Sequence, residues 1–259
     1  MGIVWVPNDH PESCGSICFV VQYTCWSSPY RARFTWFRAR FVPDTNEADL
    51  YHGARAQAVP IFGNLAYVSG IWFTSDTHFG HNAMAATGKG WRPFATVEEH
   101  DEHLIERWNA VVRPDDHVWH LGDVGGPRSD DHALACVARC NGHKHLIAGN
   151  HDAPWPGHRH AHRRQRTWLE VFDSVQAFAR RRVAKNLEVV LSHFPYEGDR
   201  GEPERYPQYR LRDKGLWLLH GHVHDAWAVD GRQINVGVDV CDWRPIGLHE
   251  VHTLIKEGS

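Results

Sequence analysis

The 259 residues carry 42% hydrophobic, 12% aromatic and 23% charged content, enough apolar material to bury a sizeable core and too much for a disordered chain. No stretch approaches the roughly 18–20 unbroken apolar residues of a membrane span, so no membrane partner is expected. With 28 basic and 31 acidic side chains the formal charge is −3, which gives no overall pull toward nucleic acid or anionic lipid.

Residues 1–67 read differently from the rest. Runs such as Ile17–Val21 and Arg31–Val42 suit strands, but Pro29, Pro43 and Pro60 interrupt the segment and no helical face develops. Two readings stand: an N-terminal extension, poorly ordered or packed on the main domain, or a start-site artefact with translation beginning near Val68. The pattern favours the second. From Gly70 the text becomes orderly, and 68–259 reads as the functional domain. Ile71-Trp-Phe-Thr-Ser75 is a β-prone run ending in Asp76-Thr-His78. Thr96-Val-Glu-Glu99 is a capping box opening a helix with Leu104, Trp108 and Val111 on one face. His117–Leu121 predicts a buried strand closed by Gly122-Asp123. A helix over Ala133–Arg139 and a strand over His145–Ala148 follow, the latter closed by Gly149-Asn-His-Asp152. Val175–Val183 and Leu187–Ser192 predict a hairpin turned at Lys185-Asn186. Leu216–Leu219 leads into Gly221-His-Val-His224, Gln233–Val240 predicts a strand, and Val251, Leu254 and Ile255 lie on one face of a closing helix. This alternation indicates an α/β fold with a β-rich second half, whose functional loops lie beyond the carboxyl ends of strands.

The composition holds 21 His against 2 Met, which raises the prior for a metal or acid–base site. Six cysteines are too sparse for a disulfide framework in a chain this long, and the amino terminus has no basic stretch ahead of an apolar one. The expected compartment is a reducing cytoplasm. Five short clusters each follow an apolar run: Asp76-x-His78, Gly122-Asp123, Gly149-Asn150-His151-Asp152, Ser192-His193 and Gly221-His222-x-His224. Carboxylate oxygen, amide oxygen and imidazole nitrogen together suit divalent ions such as Mn, Fe or Zn rather than a thiolate-rich structural zinc site. Glycines beside Asp123, Asn150 and His222 permit tight turns there.

In kind and order these clusters resemble the five motifs of the calcineurin-like metallophosphoesterase superfamily, and the likeness covers about residues 70–256. It is greatest to small single-domain bacterial and phage-associated members. The resemblance implies a four-layer α/β/β/α sandwich, two mixed sheets face to face with helices outside. It implies that Asp76, His78 and His224 hold one ion, that Asn150, His193 and His222 hold another, and that Asp123 bridges them. The cofactors implied are two divalent ions, Mn favoured over Fe or Zn. His151 would be the general acid for the leaving oxygen, with Asp152 orienting its imidazole, and hydroxide activated by the dinuclear centre would attack a phosphate mono- or diester. The expected partner is a phosphate-ester small molecule or nucleotide. A nuclease acting on nucleic acid and a non-catalytic metal-binding module are the alternatives; oligomeric state is not legible.

Other residues invite blander readings. Cys136-x3-Cys140 with His143 and His145 could suggest zinc, but two thiols at i,i+4 beside Ala133 and Val137 read as buried, and Cys14-x3-Cys18 likewise. His117 and His120 flank Trp119 and read as structural. Trp72, Trp108, Trp119 and Trp217 read as core. His81 and Asn82 could contact substrate or order the loop. Arg159, Arg163, Arg164 and Arg166, with Arg180–Arg182 and Arg205 and Arg210, are the candidates for a nucleic-acid or phosphate contact, against the commoner reading of a solvated face.

Overall fold

The computed structural model describes residues 16–20, 36–40, 70–85 and 92–258, and contacts divide the chain into two units, Met1–Asn64 and Leu65–Ser259. In the first unit β1 (Ser16–Val20) and β2 (Trp36–Arg40) pair antiparallel, with Ser16 opposite Arg40. β2 falls within the predicted run Arg31–Val42, and β1 overlaps Ile17–Val21, starting one residue earlier. The remainder of the expected extension, Cys14 and the candidate start near Val68 lie outside the described residues.

In the second unit, four short strands run parallel: β3 (Ile71–Thr74), β4 (His117–His120), β5 (His143–Ile147) and β6 (Ser174–Gln176). A second sheet holds β7 (Phe178–Ala184), β8 (Leu187–Ser192), β9 (Trp217–His220), β10 (Val229–Asp230) and β11 (Gln233–Asn235), in the order β10-β11-β9-β8-β7. It mixes parallel β11-β9-β8 pairing with antiparallel edges. β12 (Ile246–Gly247) adds antiparallel to β3, so both sheets are mixed.

Side-chain alternation decides how the sheets meet. Phe73, Trp119, Leu121 and Ile147 on one sheet share a dry layer with Val189, Leu191, Leu219 and Ile234 on the other. The opposite face of the first sheet, Val118 and Leu146, packs beneath helices α2 (Val97–Val111) and α3 (Asp130–Ala138) through Leu104, Trp108, Ala133 and Val137. A four-residue helix, α1 (Asn82–Ala85), precedes them, and α4 (Ala161–Trp168) adds Trp168 to the same core. The predicted start of α2 is observed: Thr96 Oγ1 accepts from the Glu99 N–H at 3.1 Å. The Glu99 carboxylate returns to the N–H of Ala95, one residue before the expected box partner. Helix α5 (Leu248–Glu257) buries Val251 and Ile255 in the layer between the sheets.

The fold departs from expectation in three places. The predicted strand Val175–Val183 is two strands. Residues 174–176 pair with β5 in the first sheet, while Phe178 pairs with Ser192 in the second, so the chain changes sheets at Ala177. The strand predicted over Gln233–Val240 ends at Asn235, whose side-chain amide donates to the carbonyls of His224 and Trp227 and turns the chain. Third, the helices α2, α3 and α4 all pack on the first sheet. On the outward face of the second, the Gln233 side-chain carbonyl accepts from the N–H groups of Tyr196 and Glu197, and the Tyr196 hydroxyl reaches Leu216 O at 3.2 Å. The irregular segment 194–216 therefore crosses that face.

Leu191 is fully buried between the sheets. Leu191→Ala should cost about 2–5 kcal/mol through lost burial and a residual cavity, read as a lower midpoint in urea unfolding with an unchanged slope.

Candidate metal centre

Every predicted ligand lies just past the end of a strand. Asp76 and His78 follow β3, Asp123 follows β4, Asn150 follows β5, His193 follows β8, and His222 and His224 follow β9. Five of these residues hold left-handed backbone: Asp76 (φ 56°), His78 (50°), Asp123 (56°), His222 (72°) and His224 (52°). Non-glycine residues rarely adopt it, and each costs on the order of 1–3 kcal/mol, a strain that persists where surrounding structure over-determines it. A β-carbon at Gly221 would collide with the Asp76 carboxylate, and one at Gly149 with that of Asp123. Glycine here lets the segments close on one another.

The convergence forms two buried groups, Asp76–His78–His224 and Asp123–His193–His222, whose ligand atoms within each group lie within 4.8 Å of one another. Asp123 joins them: its Oδ2 is 3.8 Å from His78 Nε2 and 3.5 Å from His193 Nε2. Asn150 Oδ1 lies 3.2 Å from His193 Nε2, beside the second group. Two ring nitrogens, His78 Nε2 and His222 Nε2, are buried without a hydrogen-bond partner. Orphaned imidazole nitrogens facing carboxylates are what a site for cations requires, since a buried polar atom left unmatched is costly. The ring orientations fit as well. His193 Nδ1 donates to Leu121 O at 2.8 Å and His224 Nδ1 donates to Asp239 Oδ2 at 3.0 Å, so both turn Nε2 toward the centre.

At His78 and His222 the electrostatics point the same way. Burial pushes His78 well below its usual range, and burial together with His193 lowers His222 to about 2, leaving both neutral as ligation needs. Burial would also lower His193, but Asp123 beside it raises it to about 9. Burial opposes charge on Asp123, yet His193 and the neighbouring imidazoles hold it well below the carboxylate range.

His151 stands at the rim, 31% exposed, with its Nε2 4.0 Å from Asp123 Oδ2. It lines a cavity of about 700 Å³ with His78, His81, Arg200, Arg205 and His224. Asp152 departs from its expected role. Its carboxylate accepts from the backbone N–H groups of Gly149, Asp123 and Val124 and makes no hydrogen bond to the His151 imidazole. Three backbone donors converge on it from two loops, so it clamps the turns carrying Asp123 and Asn150. His81 lines the cavity with its ring 5.2 Å from that of His78, whereas Asn82 is exposed.

Three functional residues escaped the sequence reading. Arg92, fully buried, donates to both oxygens of Asp239, to Asp76 O and to Thr77 O. Asp239 in turn holds His224. Asp199, whose side chain is fully buried, lies 3.5 Å from His222 Nε2 and is paired with Arg205 and Arg210. Asp239 at the end of a predicted strand offered a weak signal; Arg92 and Asp199 offered none. The remaining candidates lie apart from the centre. His117 stacks with His143 and His145, while His120 bonds Thr77 Oγ1 at 2.9 Å. Cys136 and Cys140 are free and buried. Trp108, Trp119 and Trp217 are core, and Trp72 is partly buried with Nε1 donating to Asp116. Arg159, Arg163, Arg164 and Arg166 are exposed, with Arg164 paired to Asp130; Arg180 pairs with Glu188 and Arg181 lies over the Trp119 ring.

The chain is 41% identical to the Gene 66 protein of Mycobacterium phage D29 over 201 residues, 73% of this chain and 98% of that protein. The Gene 66 protein of Mycobacterium phage L5 is also 41% identical, over 203 residues and 95% of its length. The chain belongs to the Gene 66 protein family. Uncharacterized protein MJ1445 of Methanocaldococcus jannaschii is 29% identical over 197 residues, 73% of this chain and 93% of that protein. Among solved structures, the protein of unknown function AQ665 from Aquifex aeolicus matches 72% of this Gene 66 family chain and all of its own, with a TM-score of 0.52 and 25% identity. No family model matches.

In this Gene 66 family member the Asp239 carboxylate orients a candidate ligand without being one. Asp239→Ala should weaken manganese binding about 10–100-fold, measured by competition against a fluorescent chelator, while the folded far-ultraviolet spectrum is kept.

Proposed function

We propose that this chain is a metal-dependent phosphoesterase of the calcineurin-like metallophosphoesterase type, hydrolysing a phosphate mono- or diester. The observation that carries the reading is Asp123. Its one carboxylate is shared by two buried ligand groups, each with an orphaned imidazole nitrogen. Asp76, His78 and His224 would hold one divalent ion, and Asn150, His193 and His222 the other; nitrogen and oxygen donors accept manganese, iron or zinc, of which the family likeness favours manganese. When bound, such a pair supplies Lewis acidity toward phosphoryl oxygens and lowers the pKa of water. The four-layer sandwich of that superfamily is part of the proposal; the two mixed sheets and the strand-end site support it.

The chain's own residues do the rest. Arg200 and Arg205 line the cavity beside the ligands, each also paired with an aspartate, Asp225 and Asp199, and would place positive charge at the wall that an anionic substrate meets. His151, partly exposed at that rim, donates the proton that the leaving oxygen needs. Asp152 keeps the turns of Asp123 and Asn150 in register. No serine or cysteine nucleophile is required. The nuclease alternative gains no support from Arg159, Arg163, Arg164, Arg166 or Arg180–Arg182, none of which lines the cavity beside the ligands.

The test is a manganese-supplemented screen of aryl phosphate mono- and diesters. Asp123→Asn should lose bound metal and nearly all turnover. His151→Ala should keep its metal and lose about 10²–10⁴-fold in rate, more on poor leaving groups than on good ones. Equal losses on both would remove His151 as the acid, and a wild-type protein inert toward every ester would leave the non-catalytic metal-binding reading.

A further inference from the structure

A third group of metal-ligating side chains lies outside the centre, on the helical side of the first sheet. Asp101 on α2 and Cys136 on α3 are buried, and His132, one turn before Cys136, has its side chain half exposed. The i,i+4 spacing puts His132 and Cys136 on one face of α3, and that face meets the Asp101 carboxylate. His132 Nε2 is 2.6 Å from Asp101 Oδ2 and 3.5 Å from Cys136 Sγ, and the thiol is 3.9 Å from the same oxygen. These three atoms form one of the three ligand groups among the described residues.

A cysteine, a histidine and an aspartate in contact also suggest a nucleophilic triad. The geometry argues against one: a relay needs the two ring nitrogens to face different partners, and here Nε2 faces both. A shared point of convergence is what a cation asks for. Donors at tetrahedral zinc, with bonds of about 2.0–2.3 Å, stand roughly 3.3–3.8 Å apart. Of the two sulfur separations, 3.5 Å falls within that range and 3.9 Å just beyond it. Only the nitrogen–oxygen pair is closer, because a hydrogen bond now joins them, and an ion would take the place of that proton.

We propose that Asp101, His132 and Cys136 form a zinc site, separate from the dinuclear centre, that braces the loop carrying Asp76 and His78. The donor chemistry selects the ion: one thiolate, one imidazole and one carboxylate suit zinc, whereas the centre lacks sulfur. Two anionic ligands neutralise a divalent cation, so the buried site carries no net charge. The half-exposed His132 leaves a path for entry and room for a water as fourth ligand. On binding, the Cys136 thiol gives up its proton to solvent, and His132 binds through Nε2 as a neutral imidazole with its ring proton on Nδ1. The brace follows from Asp101. Its carboxylate also accepts the Gly80 N–H, at 3.0 Å from Oδ2 and 3.3 Å from Oδ1, two residues past His78. Fixing that carboxylate fixes the end of the ligand loop.

Cobalt reports the site directly, because a thiolate gives a near-ultraviolet charge-transfer band with cobalt that nitrogen and oxygen ligands do not. The metal-stripped full chain is titrated with cobalt under reducing conditions at neutral pH. The band is expected in the wild type and in Asp123→Asn, which lacks the dinuclear centre, and is expected to vanish in Cys136→Ser. Should Cys136→Ser fail to fold by circular dichroism, His132→Ala, at a half-exposed position, decides: its cobalt affinity at the band should fall more than about tenfold. No band in the wild type at saturating cobalt, a band retained in folded Cys136→Ser, or an unchanged affinity in His132→Ala overturns the site.

Discussion

Asp123 presents one carboxylate oxygen to His193 at 3.5 Å, His78 at 3.8 Å and His151 at 4.0 Å, while its other oxygen accepts the His151 backbone N–H at 2.9 Å. A carboxylate held this deeply, among rings that are themselves buried, is expensive unless positive charge arrives. Much of the surrounding backbone exists to hold it there. Asp152 pins the N–H of Asp123 and that of Gly149 with a single oxygen, and Gly149 gives the two loops room to touch. Left-handed backbone at Asp123 and at four other ligand positions is the local cost of pointing strand-end side chains inward. The sheets offset that cost: the parallel register of β3, β4 and β5 fixes where each strand ends.

A second layer of charge supports the first. Arg92 is buried with both Asp239 oxygens, the carbonyls of Asp76 and Thr77 and His100 Nε2 around its guanidinium, so five planar donors are matched rather than stranded. Asp239 passes the restraint to His224. Asp76 gains its own restraint from the His222 N–H, at 3.2 and 3.0 Å from its two oxygens. The two ligand groups are thus linked through the backbone as well as through Asp123, and a disturbance at one is felt at the other.

The candidate ligands were legible because their chemistry is written locally. An aspartate two residues from a histidine after an apolar run, or an aspartate, asparagine or histidine just after a glycine, needs no knowledge of the fold. What holds them was not legible. Arg92 and Asp239 are 147 positions apart, and only the folded chain shows that they meet. Asp152 shows the converse error. Its place beside His151 in the chain suggests a partner for that ring, but in the structure its carboxylate faces backbone donors from two loops. Strand periodicity carried the sheets only so far. The Val175–Val183 run has continuous β propensity, and nothing in it marks Ala177 as the crossing between sheets, a boundary set by which partner strand stands at each edge. His132 and Cys136 share a helix face that the pattern shows, but their aspartate comes from α2, so thiol burial was the natural reading.

The cavity is assembled differently from the ligands. Asp76, Asp123, Asn150, His193 and His222 follow buried strands with little freedom, whereas Arg200, Pro203 and Arg205 belong to the irregular segment that crosses the second sheet. That segment is tied by polar contacts: Asp199 accepts from Arg205 and Arg210, and Gln233 receives Tyr196 and Glu197. Its exposed residues can change with little cost to the core, since surface positions away from packing and networks are tolerant. Changes there would alter what enters the cavity while leaving the candidate ligands themselves in register. Asp199 is the exception, because the carboxylate that anchors Arg205 at the cavity wall also lies 3.5 Å from His222 Nε2. Through that one residue the shape of the entrance and the charge at the centre are coupled.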